Sequence, residues 1–328
     1  VSRVAVAILN YNGADHLKKF LPTLIQWSPL ASIYVIDNGS TDDSLKFLET
    51  QEAVNTIQLK ENHGFAEGYN LGLEQIDSEY YILLNSDVEV TENWIEPMLR
   101  FLDDHPQYVA CQPKVLSYNN KDQFEHAGAA GGFVDFLGYP FCRGRILHQT
   151  EEDLGQYDDP IDVLWTSGAC MMVRTSTFQA LGGFDIDFFA HMEEIDLCWR
   201  IYQEDKKAIC LPQSVVYHVG GGTLKYGSSN KTYLNFRNSL IVLCKNLPLP
   251  HLVFVLMMRV GLDILAAISM WSWDHFKAIM RANQDFYRSI SLHFRKRNKP
   301  KRVPRRLGGN KWILILYYIG RKNKFSKL

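Results

Sequence analysis

The chain has 328 residues, of which 46% are hydrophobic and 22% charged. That is ordinary globular composition, with ample material for one large buried core or two small ones and no internal repeat to suggest a solenoid. The net charge of -1 hides an asymmetry: residues 281–328 carry 15 Lys/Arg against one acid, Asp285, which leaves the body acidic. A basic end on an acidic body points to a polyanionic partner, whether anionic lipid, nucleic acid or an acidic protein.

The first hundred residues alternate between two hydrophobic periods. Apolar runs at 4–9, 32–36, 54–59 and 80–84 read as strands, and 14–26, 42–50, 65–76 and 94–103 have helical spacing. Strand and helix at this pitch predict a mainly parallel sheet covered by helices on both faces, an α/β fold. Such sheets bind ligands at the carboxyl ends of their strands, so the residues just after each strand carry the functional information. Beyond residue 109 the pattern loosens. Gly and aromatic residues crowd 127–144 as long loops, strands are predicted at 163–165, 170–173, 208–211 and 214–219, and helices at 175–181, 194–204 and 231–246.

The six cysteines (Cys111, Cys142, Cys170, Cys198, Cys210 and Cys244) form no CxxC pair, and several sit in apolar runs. They read as buried free thiols of a reducing compartment. The chain opens on a strand-like run rather than a signal peptide, so the sequons at Asn38 and Asn230 read as chance matches.

Five segments could carry chemistry. Asp37 ends the second strand before Asn38-Gly39-Ser40-Thr41-Asp42, where a carboxylate can accept hydrogen bonds from a base or ribose; a plain turn and helix cap would look the same. In Glu61-Asn62-His63-Gly64-Phe65-Ala66-Glu67-Gly68-Tyr69-Asn70, glycines open a helix whose N-terminus suits a phosphate. Asn85-Ser86-Asp87 ends the fourth strand, a placement suited to holding Mg2+ or Mn2+ against a diphosphate. Glu193, Glu194 and Asp196 cluster at a helix start, favoured there by the helix dipole but also following an aromatic loop, as a general base requires. His218 ends a strand before Gly220-Gly221-Gly222-Thr223 and could join a metal, although a lone His is more often structural.

Taken in order, these segments resemble the inverting family 2 glycosyltransferases with a GT-A fold, in their rhamnosyltransferase-like branch, over roughly residues 3–240. The strongest similarity is Gly182-Gly183-Phe184-Asp185 through Glu193-Glu194-Ile195-Asp196-Leu197-Cys198-Trp199-Arg200. The resemblance implies a metal-dependent enzyme using a nucleotide-sugar donor. Its donor site would comprise Asn10, Asp37, Asn38, Asn62, Gly64, Asn70, Asn85, Ser86 and Asp87. Asp87 would hold the metal, with His218 as a second ligand; Asn85 stands where the literal motif has an acid. Glu194 falls where the family carries a catalytic Asp, with Glu193 and Asp196 as rivals for the base. Ser167, Gly168 and Trp199 would flank the acceptor.

Residues 252–273 are long and apolar enough to span a bilayer, but Arg259 and Asp263 interrupt them at about 2.5–3.5 kcal/mol each. A helix lying in the interface or packed on the domain is therefore expected. The polybasic run at 295–306, the apolar stretch at 312–319 and the final basic residues suit an anionic membrane surface, and nothing in the fold pattern suggests nucleic acid. The expected organisation is a GT-A domain at 1–240, a helical extension at 241–294 and a basic tail with an apolar segment at 295–328. The chain would sit in the cytoplasm on the inner face of the cell membrane and act on a saccharide or lipid-linked acceptor. The alternatives are a non-catalytic nucleotide-sugar binder and a processive polysaccharide synthase; the latter should show several long spans and a Gln-x-x-Arg-Trp motif, both missing from the sequence.

Overall fold

A computed structural model describes residues 2–220, 227–297, 303–304 and 307–328. Its first half is laid down as β1 (Val4–Asn10), α1 (Ala14–Trp27), β2 (Ala31–Asn38), α2 (Ser44–Leu48), β3 (Val54–Leu59), α3 (Gly64–Leu73), β4 (Tyr80–Asn85), β5 (Val88–Val90), α4 (Glu96–Asp104) and β6 (Tyr108–Ser117). Short strands β7 (Gly132–Val134), β8 (Pro140–Cys142), β9 (Arg145–Ile146) and β10 (Gln149–Thr150) build a small second sheet, the first two of them within the 127–144 stretch expected to be loops. There follow β11 (Ile161–Val163), β12 (Cys170–Arg174), α5 (Thr175–Ala180), α6 (Glu193–Gln203) and β13 (Lys207–His218). Helices α7 (Ser229–Asn246), α8 (Leu249–Ser269), α9 (Trp273–Arg295) and α10 (Ile313–Tyr318) complete the chain.

The main sheet has the order β11-β13-β6-β12-β4-β1-β2-β3, with β5 added against β13. Strands β4, β1, β2 and β3 run parallel, while β12 lies antiparallel between β4 and β6. Both faces of β1 are buried, so its run is apolar throughout: Val4, Val6 and Ile8 pack against α1 and α4, and Ala5 and Ala7 join the core on the α3 side. The carboxyl ends of β1, β2 and β4 then fall on one edge, with Asn10 opposite Asp37 in register and Leu9 opposite Asn85. All six cysteines are free and buried.

The strands expected at 208–211 and 214–219 form one strand, β13, with a register shift between Leu211 and Val215. Pro212 lies within that shift, where a bulge tolerates its missing N–H. The segment after the polybasic run packs back onto the domain. Ile313 N donates to Asp135 Oδ2 at 2.9 Å, Phe325 N donates to Glu151 Oε1 at 2.9 Å, and the Phe325 ring packs 5.2 Å from Phe133 on the small sheet. Residues 298–302, 305 and 306 of the polybasic run, together with Gly221, Gly222 and Thr223 of the glycine loop, lie outside the described residues.

Candidate active site

Strand pairing assembles the first half of the site. His218, the last residue of β13, pairs with Val88 and with Ser117, which brings its ring beside Asp87. His218 Nε2 lies 3.2 Å from Asp87 Oδ1, and Gly220 N donates to Asp87 Oδ2 at 3.1 Å. The Asn85 amide stands 3.4 Å from the same ring nitrogen. On the other side His218 Nδ1 is 3.2 Å from Glu125 Oε2. Glu125 is held there because its N–H donates to Val115 O, and its carboxylate accepts from the N–H of Ala127. Burial alone would push the His218 pKa down, but hydrogen bonds and charge from Asp87 and Glu125 outweigh it and lift it to about 10. The two carboxylates favour a proton on the ring, and a metal at Nε2 would take the place of that proton.

Asp87, the Asn85 amide and a His218 ring nitrogen are the oxygen and nitrogen donors that Mg2+ or Mn2+ accept. Among the described residues no group of three His, Cys, Asp or Glu is arranged to enclose an ion. The set thus fits a divalent cation shared with phosphate oxygens rather than a closed protein cage. Glu125 stands where a carboxylate would fix the ring of a metal-ligating His. Sequence reasoning missed it, because its approach depends on β6 and β13 lying side by side; the one local signal was an acid ahead of His126-Ala127-Gly128 just past a strand.

At the carboxyl ends of β1 and β2, Asn10 Nδ2 donates to Asp37 Oδ1 at 3.1 Å and Ser40 N donates to Asp37 Oδ2 at 3.0 Å. Asn10 Oδ1 is buried with no hydrogen-bond partner. Asn38 Nδ2 donates to Gly64 O at 2.9 Å and to Asn62 Oδ1 at 3.2 Å, tying the β2 end to the start of α3. Ser86 is half-buried beside Gly13.

The N-terminus of α3 is not open to a phosphate. Phe65 N and Ala66 N donate to Phe189 O at 2.6 and 3.2 Å, Gly64 N donates to Asn62 Oδ1, and His63 N donates to Asn38 Oδ1. Gly64 (φ +76°) leaves no space for a Cβ against the Phe189 ring, so its role is this close packing. Asn70 is likewise structural, bonding Phe184 N and O and so bracing the Gly182-Gly183 turn.

The third part is the loop into α6. Phe189, His191 and Met192 have φ values of 61°, 70° and 77°, a left-handed run that costs energy unless surrounding groups hold it. Asn238 from α7 supplies that hold, its amide donating to Phe188 O, Ala190 O and His191 O. The loop delivers Glu193 and Glu194 into a largely dry site, each with one carboxyl oxygen lacking a hydrogen-bond partner. Burial lifts the Glu194 pKa to about 7, only partly offset by amides at the helix start. Burial and the neighbouring Glu194 push the Glu193 pKa well above the usual carboxylate range. Glu194 packs against Gly168, whose neighbour Ala169 accepts from Asn85 N at 3.0 Å, and Ser167 Oγ donates to Ala127 O. Loop 167–169 therefore links the acid pair to both the Asn85–Asp87 and Glu125 segments.

Asp196 leaves the group of possible bases. Its carboxylate is fully buried between Lys245 Nζ and Arg200 Nε, both at 2.8 Å, and Asn246 Nδ2 at 2.9 Å. Burial works to raise its pKa, but Arg200 and Lys245 override it and hold the group ionised. Lys245 also reaches Asp185 at 2.6 Å, and Lys296 of the segment after α9 bridges Asp185 and Asp187 at 2.7 Å each. Trp199 is buried in the core rather than facing a cleft. Replacing Asp196 with Ala is expected to cost about 3–5 kcal/mol, since two cations lose their buried partner. Urea denaturation measures this, and a loss under 1 kcal/mol would remove Asp196 from the framework.

The glycosyl transferase family 2 model matches residues 5–182, more than half of the chain. The chain belongs to this family. This family 2 enzyme carries out sugar transfer from a nucleotide-sugar donor in glycan biosynthesis, on a GT-A-type α/β fold. It is 24% identical over 244 residues to the low-salt glycan biosynthesis hexosyltransferase Agl10 of Haloferax volcanii, covering 73% of this chain and 74% of that protein. It is 25% identical over 232 residues to the N-acetylglucosaminyl-diphospho-decaprenol L-rhamnosyltransferase of Mycobacterium tuberculosis, covering 65% of this chain and 75% of that one. Its fold is similar to GalNAc-T7 solved with UDP, GalNAc and Mn2+, with a TM-score of 0.57 and 17% identity, covering 75% of this chain and 48% of the other.

Proposed function

We propose that this family 2 enzyme moves a single sugar from a UDP- or dTDP-sugar to a saccharide or lipid-linked acceptor, with inversion, in cell-surface polysaccharide or glycolipid synthesis. The observation that carries the reading is the buried carboxyl pair Glu193–Glu194, each member with one oxygen lacking a hydrogen-bond partner. Burial raises both carboxyls, Glu194 to about 7, so the pair holds one proton and gives up another near working pH. Glu194 takes the proton of the acceptor hydroxyl as that oxygen attacks the anomeric carbon. The bond from that carbon to the diphosphate oxygen breaks on the opposite face, and the nucleoside diphosphate leaves with the electron pair. Mg2+ or Mn2+ bound by Asp87 and His218 would neutralise the leaving diphosphate. Asp37, Asn10 and Asn38 shape the nucleoside end, Asn85 and Ser86 the diphosphate end, and Ser167 with Gly168 the acceptor side.

Burial, together with Arg145, His148 and Lys231 acting against the opposing charge of Glu125, pushes the His126 pKa down, and these nearby cations support a phosphate-bearing acceptor. The diphosphate named in the acceptor of the mycobacterial relative agrees with that. A lipid-linked acceptor of this kind would be met at the inner face of the cell membrane, with the enzyme attached peripherally through its C-terminal region.

Two experiments bear on this. A thermal-shift panel of UDP-, dTDP- and GDP-sugars with Mn2+ or Mg2+ is expected to show metal-dependent stabilisation by a UDP- or dTDP-sugar; a shift with GDP-sugars alone would overturn the donor class. Glu125→Gln is expected to weaken Mn2+ binding about 10–100-fold, the usual cost of losing a carboxylate behind a ligating His. Calorimetry with donor nucleotide present reads this directly, and unchanged affinity would free Glu125 from that role.

A further inference from the structure

We propose that the outward face of α8 lies in the plane of a bilayer, sunk into the boundary between headgroups and acyl chains, so that the protein is monotopic. This deepens the peripheral location proposed above by naming the element that enters lipid. Among the described residues, α8 is the one helix long and apolar enough to cross a membrane, with a mean hydropathy of 2.1. Its two charges decide how it sits. Arg259 and Asp263, 2% and 1% exposed, pair at 3.1 Å on its inward face. Arg259 Nη2 donates to Ser239 of α7, its guanidinium stands over the Tyr139 ring at 4.5 Å, and Asn283 of α9 donates to Asp263. The pair thus clamps α8 along its middle to the body of the protein.

The helix ends are held on the same body. His251 bonds Phe136 O near the start, and three residues past Ser269 the chain enters α9, which returns against α7. A spanning helix would have to break this clamp. The opposite face is a stripe of uncharged side chains, Val253, Met257, Leu265 and Ile268, at helical spacing. It ends in Trp271, 96% exposed, and Trp273, the aromatic pair expected at the headgroup level.

Charge complementarity selects lipid as the occupant. Lys277 sits over the Trp273 ring. At the other end Trp312 stacks on Phe136 at 5.1 Å and lies 6.5 Å from Phe254 of α8, which sets α10 beside the stripe. Exposed Tyr318 and Ile319 of that segment are followed within five residues by exposed Arg321 and Lys324. An apolar stripe bordered by aromatic rings and cations matches an anionic bilayer surface.

Flotation of the full chain with phosphatidylcholine vesicles, with and without phosphatidylglycerol, tests this. The wild type is expected to float with the anionic vesicles, and brominated lipids are expected to quench a fluorescence fraction that Trp271→Phe with Trp273→Phe removes. Met257→Glu with Leu265→Glu, at side chains 65% and 63% exposed, is expected to lower partitioning roughly tenfold or more at an unchanged melting temperature. Arg321→Glu with Lys324→Glu should weaken binding to anionic vesicles in a salt-dependent way. Flotation of the α8 double variant like the wild type, or no quenching at the two tryptophans, would overturn the proposal. So would a lipid-free wild-type dimer that this variant converts to monomer, since a second copy would then be the occupant. Donor hydrolysis in solution is measured on the same variants and is expected to be unchanged, so a failure of the lipid reading is distinguishable from a failure of the transfer chemistry.

Discussion

Glu194→Gln is expected to reduce transfer by about 10²–10⁴-fold, the range a positioned general base supplies, while donor affinity stays within a factor of two or so. Gln keeps the length and packing against Gly168 but cannot accept the acceptor's proton. The wild type should lose kcat/KM as pH falls below about 7, because the base must be ionised and burial lifts its pKa to about 7. That limb belongs to the coupled Glu193–Glu194 pair and should vanish in the variant. Stability moves the other way. A carboxyl whose folded-state pKa exceeds its unfolded value ionises at the expense of the fold, so stability is lost as pH rises through the folded pKa. The Gln variant should therefore melt higher than the wild type above pH 7 and match it below about pH 4. A fully active Gln variant would remove Glu194 from the chemistry, and lower stability at pH 8 would contradict the burial argument.

Asp87→Ala is the second large effect. It removes the carboxylate that approaches His218 and accepts from Gly220 N. Metal affinity in the presence of donor nucleotide is expected to fall by more than the roughly 10–100-fold assigned to the carboxylate behind it. Donor affinity should no longer respond to Mn2+ or Mg2+. Titration of the donor with and without metal measures this, and an unchanged metal response would refute the ligand role of Asp87. Asp87→Asn, which keeps an acceptor for Gly220 N, separates charge from hydrogen bonding: similar losses in both variants assign the effect to charge.

The parts of the fold legible in the sequence were those set by local period. β1, β2 and β4 are buried on both faces and read as apolar runs, and α1 and α4 show one apolar stripe each, whereas β3 is a half-exposed edge strand. Asp37, Asn85 and Asp87 could be singled out because a parallel sheet presents its strand ends along one edge. What stayed hidden depends on contacts between distant segments. The Phe189 carbonyl fills the α3 terminus that looked ready for phosphate, and only the positive φ of Phe189, braced by Asn238, puts it there. Lys245 of α7 turns Asp196 from a rival base into part of an ion-pair framework. Arg259 and Asp263 argued only against a clean span; that they face inward and leave the outer side of α8 apolar depends on Ser239, Tyr139 and Asn283, which local sequence does not reveal.

The most direct test of inverting transfer needs no knowledge of the acceptor. Donor hydrolysis followed by proton NMR, early enough to precede mutarotation, identifies the anomer first released. A single displacement from the face opposite the diphosphate yields a sugar of configuration opposite to that of the donor, with the signal lost in Glu194→Gln. First release of the donor's own configuration would contradict it.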